Sequence, residues 1–234
     1  MAEVLPLVLI PGLLCTEALW RPQIEALGGL SKIWVPDTAR RNSIPDTAKD
    51  ILAAAPAEFA LAGLSMGGYI SFEIIRQAAR RVRKLALLDT NARADLPEQA
   101  ANRRLAMKQV EKGDFRGVTD QLIPNLIHPS RLSDKALTDV IKSMAAQIGK
   151  DGYLRQQTAI IGRPDNRPLL PNIDCPTLVV VGREDALTPP KVAQEIADGI
   201  PNAELVIIET CGHLSTLEKP DEVNAHLRRW LTGA

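Results

Sequence analysis

Short apolar runs alternate with amphipathic stretches along most of this chain. The run at 4–10 stops at Pro11-Gly12 and predicts a buried strand, because a parallel strand covered on both faces is apolar throughout. Residues 17–27 set Ala18, Leu19, Ile24 and Leu27 at helical spacing. A second strand at 33–35 ends at Pro36-Asp37, and 44–54 is a helix with Asp46 in its first turn. A third strand at 59–64 leads into a helix from Ser65 to about 80, and a fourth strand follows at 84–89. Further strands at 177–181 and 203–208 are followed by helices at 190–198 and 221–231.

Strands that alternate with helices predict an α/β fold, a doubly wound and mostly parallel sheet of about six strands. The alternation fails between 91 and 174, where four helical patterns (96–111, 114–123, 134–148 and 152–161) follow one another without a strand. This divides the chain into an α/β core, 1–91 and 171–234, and an inserted helical cap, 92–170, over the strand ends. Reactive groups in such sheets gather where strands end, so Pro11 to Leu14, Ser65-Met66, Asp89 to Asn91, Asp185 and His213 carry the interest.

Composition narrows the class. The 234 residues suit one α/β unit, and 45% apolar content with only 3% aromatics implies a core of Leu, Ile, Val and Ala. Lys plus Arg equals Asp plus Glu at 28 each, which gives no basic footprint for nucleic acid. No run reaches the roughly 20 apolar residues of a membrane span. Residues 5–14 precede Cys15 much as in an export signal, but Glu3 replaces a basic segment and leucines stand before the cysteine, so a buried strand and turn are expected. Cys15, Cys175 and Cys211 are odd in number and fit no zinc spacing, which suits a reducing cytoplasm. No metal or cofactor is expected. The segment 92–170 carries 13 basic and nine acidic residues, a local excess of positive charge.

The candidate chemistry begins at Gly63-Leu64-Ser65-Met66-Gly67, between an apolar strand and a helix. A serine on such a sharp turn is presented as a nucleophile, the flanking glycines leave room for neighbouring backbone, and the helix N-terminus favours a developing oxyanion. A serine hydroxyl needs a base. Of His128, His213 and His226, only His213, in Cys211-Gly212-His213 after the last strand, is placed beside Ser65. The base needs an acid to fix its tautomer. Asp185, in Gly182-Arg183-Glu184-Asp185, is the first choice, and Asp89, which ends the fourth strand, is the rival. The Met66 N–H and the Leu13 N–H, in the Pro11-Gly12-Leu13-Leu14 turn, are the expected oxyanion donors.

The Gly-Leu-Ser-Met-Gly-Gly run at 63–68, the Gly-x-x-Asp-x-x-Thr-Pro run at 182–189 and Gly212-His213 resemble the α/β-hydrolase superfamily almost end to end. Within it the chain is similar to compact, cap-bearing esterases, lactonases and carbon–carbon hydrolases. The resemblance implies Ser65, Asp185 and His213 as a triad, with Leu13 and Met66 as oxyanion donors. It departs from the family in carrying Pro11 where a histidine is frequent, and in lacking an initial hairpin. The resulting expectation is a serine hydrolase that cleaves a small-molecule carboxylic ester through an acyl-enzyme. Enol-lactone, thioester and carbon–carbon bond cleavage are alternatives on the same triad, and a non-catalytic receptor stands furthest off. The basic cap adds two competing expectations: a weak preference for esters with a distal carboxylate, held by Arg103 or Arg104 and by Arg155, or a plain preference for short neutral acyl chains, with the charge as ordinary solvated surface.

Overall fold

The computed structural model describes residues 5–113 and 115–233. Six parallel strands form one sheet: β1 (Leu7–Ile10), β2 (Ile33–Trp34), β3 (Phe59–Leu64), β4 (Val82–Leu88), β5 (Thr177–Gly182) and β6 (Ala203–Ile208). Their spatial order is β2-β1-β3-β4-β5-β6. The chain therefore leaves β1 in one direction and, from β3 onward, winds in the other. The crevice at that reversal lies between the ends of β1 and β3.

Period-two alternation sends successive strand residues into two separate cores. Leu7, Leu9, Ala62, Leu64 and Val180 face one side, covered by α1 (Arg21–Leu27) and by α8 (Pro220–Thr232) through Leu27, Val223, Leu227 and Leu231. Val8, Ile10, Leu61, Leu87 and Val181 face the other. There α2 (Ile44–Ala54), α3 (Met66–Ala78) and α6 (Pro190–Gly199) bury Ile51, Ile70 and Ile196. Ile10 pairs with Gly63, Leu64 with Leu88 and Gly182 with Ile208. The loops that follow these strands therefore emerge at one edge.

Between β4 and β5, the described residues form two long helices, α4 (Pro97–Lys112) and α5 (Lys135–Ile161), with short 3-10 turns. One expectation is corrected here. The stretch 114–123 is not a helix: Asp114 lies outside the described residues, Gly117 has φ 63°, and only a 3-10 turn at Ile123–Asn125, containing Pro124, interrupts the loop. The two helices expected at 134–148 and 152–161 both lie within the bounds of α5, separated by a kink at Gly149, whose φ 68° and ψ −178° are not helical; the first is capped by Asp134, which accepts the Leu137 N–H at 3.0 Å. Smaller differences have local causes. Val4 lies outside the described residues. Residues 17–20 form a 3-10 turn, and α1 begins only at Arg21, with Pro22 in its first turn where no N–H is needed. Asp89, at φ 45°, lies just past β4.

The insert is not set apart from the core. Val118, Ile127, Leu137, Ile141 and Met144 join the same apolar cluster as Leu64, Leu88 and Leu214. No described helix is long and apolar enough to cross a membrane.

Candidate active site

Ser65 stands at the N-terminus of α3 with φ 55° and ψ −114°, a region an L-residue rarely adopts. Its N–H donates to Leu88 O at 3.0 Å, and its carbonyl accepts from the Gly68 N–H at 2.9 Å and the Thr90 hydroxyl at 2.8 Å. The backbone is thus tied to β4 and the loop beyond it. The flanking glycines are required by close approach: a Cβ on Gly67 would run into Ile10 O, and one on Gly63 into Gly67 O. A Cβ on Gly12 would stand 3.3 Å from Ser65 Cβ, which places the turn after β1 directly against the serine.

His213 Nε2 lies 3.0 Å from Ser65 Oγ, and Nδ1 lies 2.8 Å from Asp185 Oδ2. An ionised carboxylate only accepts, so Nδ1 carries the proton and Nε2 is left to accept from the serine hydroxyl. Asp185 is held on every side. Oδ1 accepts the Leu187 and Thr188 N–H groups at 2.8 and 2.9 Å, and Oδ2 also accepts the Thr188 hydroxyl at 2.7 Å. Burial would raise the Asp185 pKa, but the charge and hydrogen bond of His213 and the donors of Thr188 outweigh it, and the pKa falls below the usual carboxylate value. Burial would lower the His213 pKa. The Asp185 charge and hydrogen bond, with smaller contributions from Asp89 and Glu218, raise it instead.

Asp89 sits beneath this pair and does not touch His213. Its Oδ1 accepts the Gly182 N–H at 3.0 Å, and its Oδ2 meets the Ser215 N–H at 3.3 Å and the Ser215 hydroxyl. Desolvation, reinforced by the Asp185 charge, pushes its pKa up to about 8 against the pull of His213 and these donors. Two neighbouring carboxyls are thereby driven apart, Asp89 above and Asp185 below the usual carboxylate range. Glu184 turns away and accepts the Cys211 N–H at 3.0 Å.

The His213 loop has a second brace that the sequence reading missed. Glu218, at the end of the short helix α7 (Ser215–Glu218), accepts the Gly212 and Leu214 N–H groups at 3.0 and 3.3 Å through Oε1 and the His128 N–H at 2.7 Å through Oε2. The His213 N–H itself donates to Leu126 O at 3.0 Å. Nothing in a sequence separated Glu218 from other helical glutamates, because its partners are backbone groups 90 residues away or on its own loop.

Ser65 and His213 open into a cavity of about 410 Å3, within the range of small-molecule sites. One part is apolar, lined by Leu13, Val118, Leu126, Ile141, Met144 and Leu214; another is polar, lined by Tyr69, Asn91, Asp95, Gln99, Arg103, Gln157 and Arg163. Leu13 lines the cavity and Met66 is the first residue of α3. Neither N–H has a protein acceptor among the described residues. Of the three cap arginines singled out by charge, Arg103 reaches the cavity, Arg155 is spent on Ala39 O at 2.7 Å, and Arg104 is not part of the lining. Among the described residues no group of three or more His, Cys, Asp or Glu could hold a metal ion.

The Ser65–His213–Asp185 arrangement thus lies at the strand ends of a parallel sheet, Ser65 at the point where the winding reverses. The chain belongs to the alpha/beta hydrolase family, whose profile matches residues 7–226. It is similar to a thermophilic esterase from Thermogutta terrifontis solved with malate bound, at 30% identity and TM-score 0.89 over 98% of this chain and 90% of that one. It is also similar to the pimeloyl-[acyl-carrier protein] methyl ester esterase of Nitrosomonas europaea, at 24% identity over 92% of this chain and 91% of the relative. The enol-lactonase of Burkholderia xenovorans shares the fold, with TM-score 0.85 at 24% identity over 97% of this chain and 92% of that one.

Proposed function

We propose that this protein is a serine hydrolase that cleaves a small carboxylic ester through an acyl-enzyme, with Ser65 as nucleophile, His213 as base and Asp185 as the acid that orients it. The observation that carries this reading is the unbroken hydrogen-bonded relay from Asp185 through His213 to Ser65 at the wall of a cavity. Two relatives whose names specify esters lend it support.

In this mechanism Ser65 Oγ attacks the ester carbonyl while His213 Nε2 takes its proton. Asp185 holds the resulting imidazolium. The oxyanion sits between the N–H groups of Leu13 and Met66, each worth about 2.7–4 kcal/mol in transition-state stabilisation. His213 then protonates the departing alcohol. Water, deprotonated by the same histidine, releases the acid and regenerates Ser65. The helical insert, 92–170, acts as the cap that lines the substrate cavity. The three unpaired cysteines are in keeping with a cytoplasmic setting.

The test is hydrolysis of p-nitrophenyl esters of rising chain length by the wild type and by Ser65→Ala. The wild type turns over at least one of them, and the variant loses on the order of 10⁶ in kcat. Activity of Ser65→Ala within tenfold of wild type would end the assignment.

A further inference from the structure

The polar part of the cavity has a feature the triad does not use. Asp95, whose side chain is 2% exposed, lies between two arginines. Arg103 Nε donates to its Oδ2 at 2.8 Å, and Arg163 Nη1 stands 2.7 Å from its Oδ1, poorly aligned for a hydrogen bond. Arg163 is itself 2% exposed and stacks over the Tyr69 ring with its guanidinium carbon 4.2 Å from the centroid. Two guanidinium groups share one carboxylate, which leaves a surplus positive charge in a buried place.

The hydrogen-bond inventory points the same way. Apart from Asp95 Oδ1, which faces Arg163 without an aligned hydrogen bond, the amide acceptors of this region are engaged within the protein: Gln157 Oε1 by Arg103 at 2.9 Å, Gln99 Oε1 by the Leu96 N–H at 2.9 Å, and Asn91 Oδ1 by the Arg93 N–H at 2.8 Å. The donors are not. Nη2 of Arg103, the amide nitrogens of Gln157, Gln99 and Asn91, and the Tyr69 hydroxyl have no partner among the described residues. A pocket region with these spare donors and two guanidinium groups around one carboxylate suits an anion, and a guanidinium edge suits a carboxylate.

Its position relative to Ser65 is set by α3. Tyr69 lies four residues beyond Ser65, a rise of about 6 Å along the helix, and Arg163 covers the Tyr69 ring. The anion site is thus within reach of the far end of a short acyl chain whose carbonyl is at Ser65.

We propose that Arg103, fixed by Asp95 and backed by Arg163, binds a carboxylate at the distal end of the substrate, so that the preferred esters are half-esters of short dicarboxylic acids. This rests on the ester reading of Ser65 and names its substrate class. Arg163 holds the place that the segment's charge alone assigned to Arg155.

The experiment compares monomethyl adipate with methyl hexanoate, which differ at the far end of the same six-carbon acyl chain. It measures kcat/KM at low and high salt in the wild type and in Arg103→Gln and Arg103→Lys. A parallel arm measures binding of both uncleaved esters to Ser65→Ala by calorimetry. The wild type should favour the half-ester at least tenfold at low salt, and less at high salt. Arg103→Gln should erase at least tenfold of that ratio, with Arg103→Lys between. Equal or poorer use of the half-ester, or a preference indifferent to Arg103, overturns the proposal. If the wild type cleaves neither ester, the ester reading is at fault and the binding arm decides this one: tighter binding of the half-ester by Ser65→Ala upholds the anion site, and equal binding removes it.

Discussion

Ser65 holds its strained backbone at a cost of about 1–3 kcal/mol, and the site is organised to keep it there. What this secures is a hydroxyl 3.0 Å from His213 Nε2. The residue most open to misassignment is the acid, since Asp185 and Asp89 both end strands. Geometry separates them: Asp185 contacts the imidazole, whereas Asp89 braces the Gly182 and Ser215 backbone. Asp185→Asn should cost roughly 10⁴ in kcat by favouring the wrong tautomer, and Asp89→Asn far less. Steady-state kinetics of both variants checks this, and the reverse order would move the acid to Asp89. The buried Asp89 also leaves a mark on stability. Its carboxyl ionises near 3.8 when unfolded and at about 8 when folded, so its contribution to stability is full below pH 4 and is lost as pH rises toward 8. Asparagine does not titrate. The melting-temperature deficit of Asp89→Asn should therefore narrow between pH 5 and pH 8.5, and a widening deficit would contradict a neutral buried carboxyl. For His213, a base must be unprotonated to act and its pKa is raised, so kcat/KM should fall on the acid side with a midpoint above about 6.5. A pH profile still flat below 6 would be at odds with that.

Strands and caps carried most of what could be read from the chain. β3, β5 and β6 are short apolar runs with turn residues behind them, and the Gly-x-Ser-x-Gly turn after β3 has a steric reason that a sequence displays. Elements whose reasons lie elsewhere in the molecule were harder to read. The loop at 115–122 has apolar residues such as Phe115, Val118 and Leu122 at plausible helical spacing, yet Gly117 takes a positive φ and Val118 packs into the core beside α5. Gly149, by contrast, was legible as the end of a helix: its φ of 68° breaks α5 into the two helical segments that the sequence pattern separates. The candidate triad was legible because each member follows a strand. Glu218 and the Asp95–Arg163 pair were not, because their partners are remote in sequence. Glu218 makes a prediction at this scale. Glu218→Gln puts an amide donor against at least one of the backbone N–H groups that now meet a carboxylate oxygen, and each unsatisfied group costs about 1–3 kcal/mol. The loop that carries His213 should loosen, lowering kcat more than it raises KM and lowering the melting temperature. A variant with wild-type kcat and stability would show that the loop is held without it.

Across the whole molecule, the reversal of winding between β1 and β3 brings the Gly12-Leu13 turn and Ser65 together, and the last two strands deliver Asp185 and His213 to the same edge. Described residues between β4 and β5, such as Val118, Ile141 and Met144, share an apolar cluster with the sheet. Calorimetric unfolding should accordingly be a single transition with matching calorimetric and van't Hoff enthalpies, and two separate transitions would make the insert an independent unit. The proposed chemistry requires the fold to activate one serine. The most direct measurement is labelling of the intact protein with a fluorophosphonate probe, followed by mass spectrometry of the peptides. One equivalent of probe on Ser65, lost in Ser65→Ala and strongly slowed in His213→Ala, is the predicted result. An unlabelled Ser65 in the wild type, or labelling at the same rate in His213→Ala, would contradict it.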